Sequence, residues 1–351
     1  MKKIITVVGA RPQFVKAAVL SRKIREKYAH FFEELIVHTG QHYDANMSEV
    51  FFDQMKIPKP HRNLEIGSGS HGAMTGRMLE GIEGILKEEC PDCLLTYGDT
   101  NSTIAGALAA SKLHIPVVHV EAGLRSFNKN MPEEQNRILT DHISDFLFCP
   151  TDTAVANLKE EGISKGVYKT GDIMLDASLY YRQFTVNLPF SLPGEFFLIT
   201  LHRAENTDDP VRLRNIVEAL NESQINGVLP LHPRTKKVLE QQGLEFTSNI
   251  ITVPPVSFFE MIALEEKCMG IITDSGGVQK EAYFFKKPCI TLRDQTEWVE
   301  TVDAGWNVLV GSEKNRILGA IKSLSDKHPY NELYGSGNAA DEILSVLKGA
   351  I

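Results

Sequence analysis

Short runs of β-branched and aromatic residues alternate with longer stretches of helical period along nearly the whole chain, and this alternation constrains the fold more than any other feature. Parallel strands need a crossover of a dozen or more residues, usually a helix, so repeated strand, helix, strand builds βαβ units around parallel sheets. A first set of strands is expected at Ile4 to Gly9, Leu35 to Thr39, Cys93 to Gly98, Pro116 to Val120, Phe146 to Cys149 and Val167 to Gly171. Helical patterns such as Phe14 to Glu26, Gly72 to Lys87 and Asn101 to Leu113 lie between them. A second set begins at Phe196 to Thr200 and continues through Val228 to Leu231, Ile250 to Val253, Gly270 to Thr273, Pro288 to Leu292 and Asn307 to Val310. At roughly 150 residues per domain, 351 residues accommodate two such sets. The expected fold class is α/β: two Rossmann-like lobes with parallel sheets and a cleft between them. Asn187, Pro189, Ser191, Pro193 and Gly194 punctuate a stretch without helical period, which places one lobe in 1–184 and the other in 185–335. The amphipathic tail within 336–351 has no strand after it and is expected to pack back on a lobe as a closing helix.

Charge limits the partners. The chain carries 45 acidic and 37 basic residues, a net charge of −8, which argues against general nucleic-acid affinity, since that rests on clustered Lys and Arg. A local basic pocket for a small anion stays compatible. The apolar run after Met1-Lys2-Lys3 is too short for a secretory signal, and no segment approaches the roughly 20 apolar residues that span a bilayer, so a cytosolic protein with no membrane partner is expected. The five cysteines are scattered and fit a reducing compartment. Cys90-Pro-Asp-Cys93 matches C-x-x-C, but it follows a helical pattern and opens a strand, the reverse of a redox pair's setting. None of the histidines pairs with Cys or Glu at a familiar ligand spacing, so no metal is expected.

In open α/β sheets ligands bind outside the carboxyl ends of the strands, and here those ends are polar. The first strand delivers Arg11 and, about a turn further on, Lys16; the third delivers Asp99, and the fourth Glu121 and then Arg125. In the second lobe the strand ends deliver His202 and Arg203, His232 and Arg234, and Asp274-Ser-Gly-Gly277 with Gln279 and Glu281. Asp99 and Ser275 sit where helix N-caps belong, and Pro132-Glu-Glu134 suits a first helical turn, so each has a structural reading as well. Capping does not account for the gathering of Arg11, Asp99, Glu121 and His202 on one rim. The Ser-Gly-Gly turn before a helix is the best phosphate-site candidate, because glycines admit a ligand to the backbone and the helix start offers unpaired N–H groups. Neither G-x-G-x-x-G after the first strand nor a P-loop is present.

With these residues in view the chain resembles the non-hydrolysing UDP-N-acetylglucosamine 2-epimerases. The resemblance runs through both lobes: Gly9-Ala-Arg-Pro-Gln13, Thr39-Gly-Gln-His42, Gly98-Asp-Thr100, Val120-Glu-Ala-Gly-Leu-Arg125, Pro132-Glu-Glu134, Leu201-His-Arg203, His232-Pro233, Asp274-Ser-Gly-Gly277 with Glu281, and Arg293-Asp294. The opening Gly-Ala-Arg-Pro-Gln-Phe, Thr200 to Pro210 and Thr296-Glu-Trp-Val-Glu300 look most like the branch acting on UDP-2,3-diacetamido-2,3-dideoxyglucuronic acid. The resemblance implies a glycosyltransferase-B type fold and inversion at C2 of UDP-GlcNAc by anti elimination of UDP and re-addition through a 2-acetamidoglucal. It also implies no cofactor and a homodimer. Matched position by position, Asp99, Glu121, Glu133 and His202 are the catalytic set. Arg11, Lys16, Arg203, His232, Ser275, Gly276, Gly277, Glu281 and Arg293 are the UDP-binding set, with Glu281 on the ribose hydroxyls.

One departure bears on regulation. Some members bind a second UDP-GlcNAc as activator through a motif starting Gln-His; here Gln41 and His42 are followed by Tyr43 and Asp44, and an acid there would repel a diphosphate. Hyperbolic kinetics without an activator is therefore expected. A C6 carboxylate on the sugar would need a further cation, for which Arg125, Lys129 and Arg137 are candidates. The rival readings are a retaining glycosyltransferase of the same fold, which has no use for several acids around C2, and a two-lobed sugar-binding protein, against which the lack of an expected export signal speaks.

Overall fold

The computed structural model describes residues 1–40, 55, 57–184, 187–324 and 328–351. They form two compact units, one of Met1–Ala177 with Glu332–Ile351 and one of Ser178–Asn331.

In the first unit the elements run β1 (Lys2–Val8), α1 (Arg11–Lys23), β2 (Phe32–His38), β3 (Arg62–Asn63), α2 (His71–Glu89), β4 (Cys93–Tyr97), α3 (Asn101–Lys112), β5 (Val117–Val120), α4 (Pro132–Ile143), β6 (Phe146–Cys149), α5 (Asp152–Glu160), β7 (Val167–Lys169) and α6 (Ile173–Tyr181). A π-helical turn, Ile24–Tyr28, extends α1. The strands lie in the order β3-β2-β1-β4-β5-β6-β7 and all pair in parallel. The order reverses between β1 and β4, where Ile4 is in register with Cys93 and Thr6 with Leu95. β4 and β5 are buried along their whole length and β1 from Ile4 on, and their residues are mostly apolar, because helices cover both faces of the sheet. Ile5, Val7, Leu94 and Val117 pack with Met78, Ile82 and Leu86 of α2 and the alanines of α3.

The second unit continues with β8 (Phe197–Thr200), α7 (Ala204–Thr207), α8 (Pro210–Glu222), β9 (Gly227–Pro230), α9 (Pro233–Gln242), β10 (Ile250–Val253), α10 (Phe258–Lys267), β11 (Gly270–Thr273), α11 (Gly276–Phe284), β12 (Cys289–Thr291), α12 (Val299–Asp303), β13 (Asn307–Leu309) and α13 (Lys314–Ser323). Its order is β10-β9-β8-β11-β12-β13, again parallel throughout, with the reversal between β8 and β11. Alternation along β8 splits the apolar residues between two layers. Ile199 and Leu201 join Leu213, Ile216 and Leu220 of α8 on one face, while Phe196 and Leu198 join Leu264, Val278 and Ala282 on the other.

The last helix, α14 (Ala339–Ala350), belongs to the first unit. Its N-cap residue, Asn338, makes no side-chain cap; Asp176 of α6 accepts the N–H groups of Ala339 and Ala340 instead, at 3.1 and 2.9 Å. Asp341 pairs with Lys23 and Lys27 at 2.7 Å each, and Ile343, Leu344 and Leu347 are buried. The change of unit therefore falls inside α6, at Ala177 and Ser178, ahead of the stretch punctuated by Asn187 to Gly194.

Candidate active site

Each sheet carries its polar residues where its strand order reverses, the position at which doubly wound sheets take ligands. In the first unit the turns after β1 and β4 are tied together by Gln13. Its Oε1 accepts the N–H groups of Gly9 (2.8 Å) and Ala10 (3.0 Å), and its Nε2 donates to the carbonyl of Tyr97 (2.8 Å) and to Thr103 Oγ1 (3.0 Å). Gln13 is buried; its Oε1 holds the turn after β1, and its two Nε2 bonds cross the switch point to the end of β4 and to α3. Arg11 stands exposed at the start of α1, and Lys16 is buried one turn on.

Lys16 Nζ meets Glu121 Oε1 at 2.6 Å, with both side chains nearly buried. Glu121 follows β5 with a φ of 75°, a left-handed conformation costly for a non-glycine residue. It is held there because Phe148's carbonyl accepts the N–H groups of both Glu121 (3.1 Å) and Ala122 (3.0 Å). Gly98, at φ 62°, ends β4 beside this pair; a Cβ there would lie 3.4 Å from Lys16 Nζ and 3.5 Å from Glu121 Oε1. Asp99 comes next, half-buried, and its carboxylate is paired with Arg137 of α4. The helix after it is capped by the Thr100 hydroxyl, so the cap expected at Asp99 belongs to its neighbour and the Asp99 carboxylate stays clear of that role.

Behind these groups lies a buried charged network. His119 of β5 bridges the Gly98 carbonyl (Nε2, 2.7 Å) and Asp141 Oδ1 (Nδ1, 2.7 Å). Asp141 Oδ2 accepts from Gly123 N–H (3.1 Å) and Arg125 (2.7 Å), and Arg125 forms a two-pronged pair with Glu161 at 2.7 Å. Burial pushes the Asp141 carboxyl up, but His119 and Arg125 outweigh it and hold it below the usual range. Glu134 is likewise enclosed: it accepts from Ser126 N–H, Ser126 Oγ, Phe127 N–H and Arg137, which more than offset its burial and lower its pKa. Glu134 thereby fixes the loop before α4. Its neighbour Glu133 is exposed and makes no hydrogen bond or ion pair among the described residues. Arg125 and Arg137, offered as cations for a sugar carboxylate, are saturated by Asp141, Glu161, Glu134 and Asp99; Lys129 is exposed.

In the second unit, buried Asp274 ties the two switch-point turns together. It accepts from the N–H groups of His202 (3.0 Å) and Arg203 (2.9 Å) and from Asn206 Nδ2 (3.3 Å), and stands 3.5 Å from His202 Nδ1. His202 is otherwise open, with its side chain 47% exposed. Thr200 and Thr273 hydroxyls meet at 2.5 Å, and Thr273 Oγ1 accepts the Ser275 N–H at 2.9 Å. Ser275 occupies the N-cap position of α11, yet its hydroxyl makes no cap bond, contrary to the capping role the sequence suggests. That leaves the helix start available to an anion. A Cβ on Gly276 would collide with Glu297 and come within 3.5 Å of Arg203, whereas Gly277 is exposed with open space around it. Arg293 is buried and donates to Glu297 at 3.0 Å, so it buttresses the Ser-Gly-Gly turn from beneath. His232 is exposed at the end of β9, where its Nδ1 accepts the Arg234 N–H at 3.2 Å. Glu281, half-buried, lies one turn beyond Gly277. Gln41, His42, Tyr43 and Asp44 lie outside the described residues.

The first unit thus gathers Lys16, Asp99 and Glu121, and the second gathers His202, Arg203, Ser275, Gly276, Gly277 and Arg293. Gln13, Arg137, His119, Asp141 and Asp274 hold these groups in place, and sequence reasoning did not find their roles. Gln13 and Asp274 stood inside quoted motifs; the others are buried polar residues whose partners are far away in the chain.

Two parallel doubly wound sheets with polar residues at each switch point, one of them beside an open helix start, define an α/β protein of the glycosyltransferase-B fold class with a candidate anion site. More narrowly, the chain belongs to the UDP-N-acetylglucosamine 2-epimerase family, whose sequence model matches residues 24–348. It is 55% identical to the UDP-2,3-diacetamido-2,3-dideoxy-D-glucuronate 2-epimerase of Pseudomonas aeruginosa, over 98% of this chain and 99% of that one. It is 33% identical to the UDP-N-acetylglucosamine 2-epimerase of Escherichia coli, over 99% and 98% of the two. The crystal structure of Methanocaldococcus jannaschii UDP-GlcNAc 2-epimerase in complex with UDP-GlcNAc and UDP is similar with a TM-score of 0.88 at 41% identity, covering 99% of this chain and all of that one. Like these relatives, the chain is an isomerase. No helix among the described residues is long and apolar enough to cross a membrane, and none of their His, Cys, Asp and Glu side chains form a group placed to hold a metal ion.

Proposed function

We propose that the chain inverts C2 of a UDP-linked 2-acetamido sugar by anti elimination of UDP and re-addition through a 2-acetamidoglucal. The observation that supports it most is the pairing of Asp99 and Glu121 at one switch point, each beside a cation, Arg137 and Lys16. C2–H is a weak acid, so its removal needs a positioned base, and its return to the other face needs a second group. Asp99, Glu121 and Glu133 supply these groups in the proposal, with His202 assisting. Departing UDP carries charge that must be stabilised as the C1–O bond breaks. The start of α11 with Ser275, Gly276 and Gly277 receives the diphosphate, supported by Arg11, Lys16, Arg203, His232 and Arg293, and Glu281 takes the ribose.

For the sugar, UDP-GlcNAc is the first reading; with Arg125 and Arg137 paired internally, a sugar carboxylate would depend on Lys129 among the candidate cations. The second is UDP-2,3-diacetamido-2,3-dideoxyglucuronic acid, carried by the 55% identical relative. Incubation with each sugar in heavy water, with no acceptor, tests both: deuterium should enter C2 of the true substrate as its epimer appears. Absence of exchange with both sugars would overturn the epimerase and leave the glycosyltransferase reading. As a cytosolic homodimer, the enzyme should elute at twice its chain mass.

A further inference from the structure

The second unit contains a buried acid that the reaction as proposed does not use. Glu265, on the last turn of α10, is only 1% exposed, and neither of its carboxyl oxygens receives a hydrogen bond from an N–H or O–H of the described residues. Its surroundings are the apolar layer of Leu264, Cys268, Ile271, Val278 and Ala282. Among the described residues, the side chain that interacts with it at hydrogen-bonding range is a second carboxyl, that of Glu281 on α11. No cation acts on Glu265; in this corner Lys287 acts on Cys268, and Lys280 lies over the Trp298 ring at 4.4 Å.

Two carboxylates cannot hydrogen-bond to each other, since each only accepts, and a charge on Glu265, enclosed in an apolar layer with no cation acting on it, is costly. One proton between them removes both difficulties. The partner that takes it should be the one with less access to water, and Glu281 is half-buried where Glu265 is enclosed. We propose that Glu265 holds the single proton of a Glu265–Glu281 acid–carboxylate pair and, by donating its O–H, positions the Glu281 carboxylate for the ribose hydroxyls of the UDP sugar. Burial and then the Glu281 charge push the Glu265 carboxyl far above the usual range, in accord with this. The inference rests on the reading of Glu281 as the ribose-binding residue. Glu281 follows the phosphate-receiving glycines by one helical turn, so one short helix would present diphosphate and ribose groups together. Glu265 touches no reacting atom and is a positioning residue.

The test uses the full chain and UDP. Infrared difference spectra at neutral pH should show a carboxylic-acid C=O band in the wild type that disappears in Glu265→Gln. The amide of Glu265→Gln still donates to Glu281, so UDP affinity by calorimetry should stay within about twofold of wild type. Glu265→Met keeps the volume and removes the donor; UDP binding and the KM of the UDP sugar should weaken about tenfold with kcat little changed. Thermal melts of both variants report whether the fold persists. An acid band unaffected by Glu265→Gln overturns the shared proton, whatever Glu281 binds. Wild-type UDP affinity in Glu265→Met overturns the positioning role. Glu281→Gln then separates the causes: weak UDP binding there leaves the ribose reading standing, and unaltered binding removes it too.

Discussion

At the scale of single residues, Asp99 shows how a site is divided between chemistry and support. Its neighbour Thr100 caps the helix, Asn136 donates to its backbone carbonyl at 2.9 Å, and Arg137 holds its carboxylate. Replacing it with Asn keeps the shape and removes a carboxylate proposed to move a proton, so Asp99→Asn should lower kcat by about 10²- to 10⁴-fold while UDP affinity measured by calorimetry stays near wild type. A variant that loses UDP binding and rate in proportion would show that Asp99 serves binding alone. Gln13 makes the opposite case. With four buried hydrogen bonds, two of them across the switch point, Gln13→Ala should cost about 2 to 4 kcal/mol in urea denaturation, since it strands donors and acceptors that water cannot reach. Asp99 and Glu121 were legible in the sequence because a strand end announces a carboxylate without needing to know its partner. The partners were not: Arg137 meets an acid 38 positions away, and His119 reads as one more residue of an apolar strand.

At the scale of elements, long periodic stretches were read well and their edges less so. The strands at Phe146–Cys149, Ile250–Val253 and Gly270–Thr273 end where apolar runs meet turn residues, and such runs mark themselves. β3, with only Arg62 and Asn63, carries no apolar pattern: it joins the sheet edge through backbone pairing with β2 and the contact of Asn63 Oδ1 with His38 Nδ1 at 3.1 Å. α14 is amphipathic and visible, but its N-terminal cap comes from Asp176, 163 positions earlier, where no local pattern could reveal it. Burial, aided by Asp172, raises the Asp176 carboxyl from 3.8 to about 6, although the Ala340 and Ala339 N–H groups pull it down. The folded state therefore binds this proton more tightly than the unfolded chain. Its contribution to stability is full below about pH 4 and is lost as the pH rises through about 6. The loss amounts to about 2 to 3 kcal/mol, taking 1.4 kcal/mol per unit. Asp176→Asn cannot titrate, so urea-denaturation stability of wild type minus variant should fall from pH 4 to pH 6.5 and then level off. A flat difference would mean that Asp176 is charged throughout.

At the scale of the whole molecule, the first unit is interrupted in sequence, since Met1–Ala177 is completed by Glu332–Ile351 while Ser178–Asn331 is continuous. α14 closes the first unit through Asp176, the Asp341 pairs and three buried aliphatic side chains. Both tryptophans, Trp298 and Trp306, are buried in the second unit, and Trp306 is anchored by its bond to Pro329 at 3.2 Å. Tryptophan fluorescence therefore reports the second unit alone, while far-ultraviolet circular dichroism reports both. A chain ending at Asn331 keeps every hydrogen bond of the second unit noted here, including that of the Tyr283 hydroxyl to the Asn331 carbonyl. It uncovers the surface on which α14 lay. Its dichroism should show an early urea transition that fluorescence does not see, followed by a transition common to both probes, because two units of unequal stability no longer unfold in one step. Added UDP should stabilise the unit that fluorescence reports, by about 2.7 kcal/mol at a hundredfold excess over Kd, and so raise its midpoint, since Ser275, Gly276, Gly277 and Glu281 among its proposed holders belong to the second unit. Coincident transitions in the shortened chain would show that α14 contributes little to the first unit, and a fluorescence midpoint indifferent to UDP would remove the diphosphate site from α11.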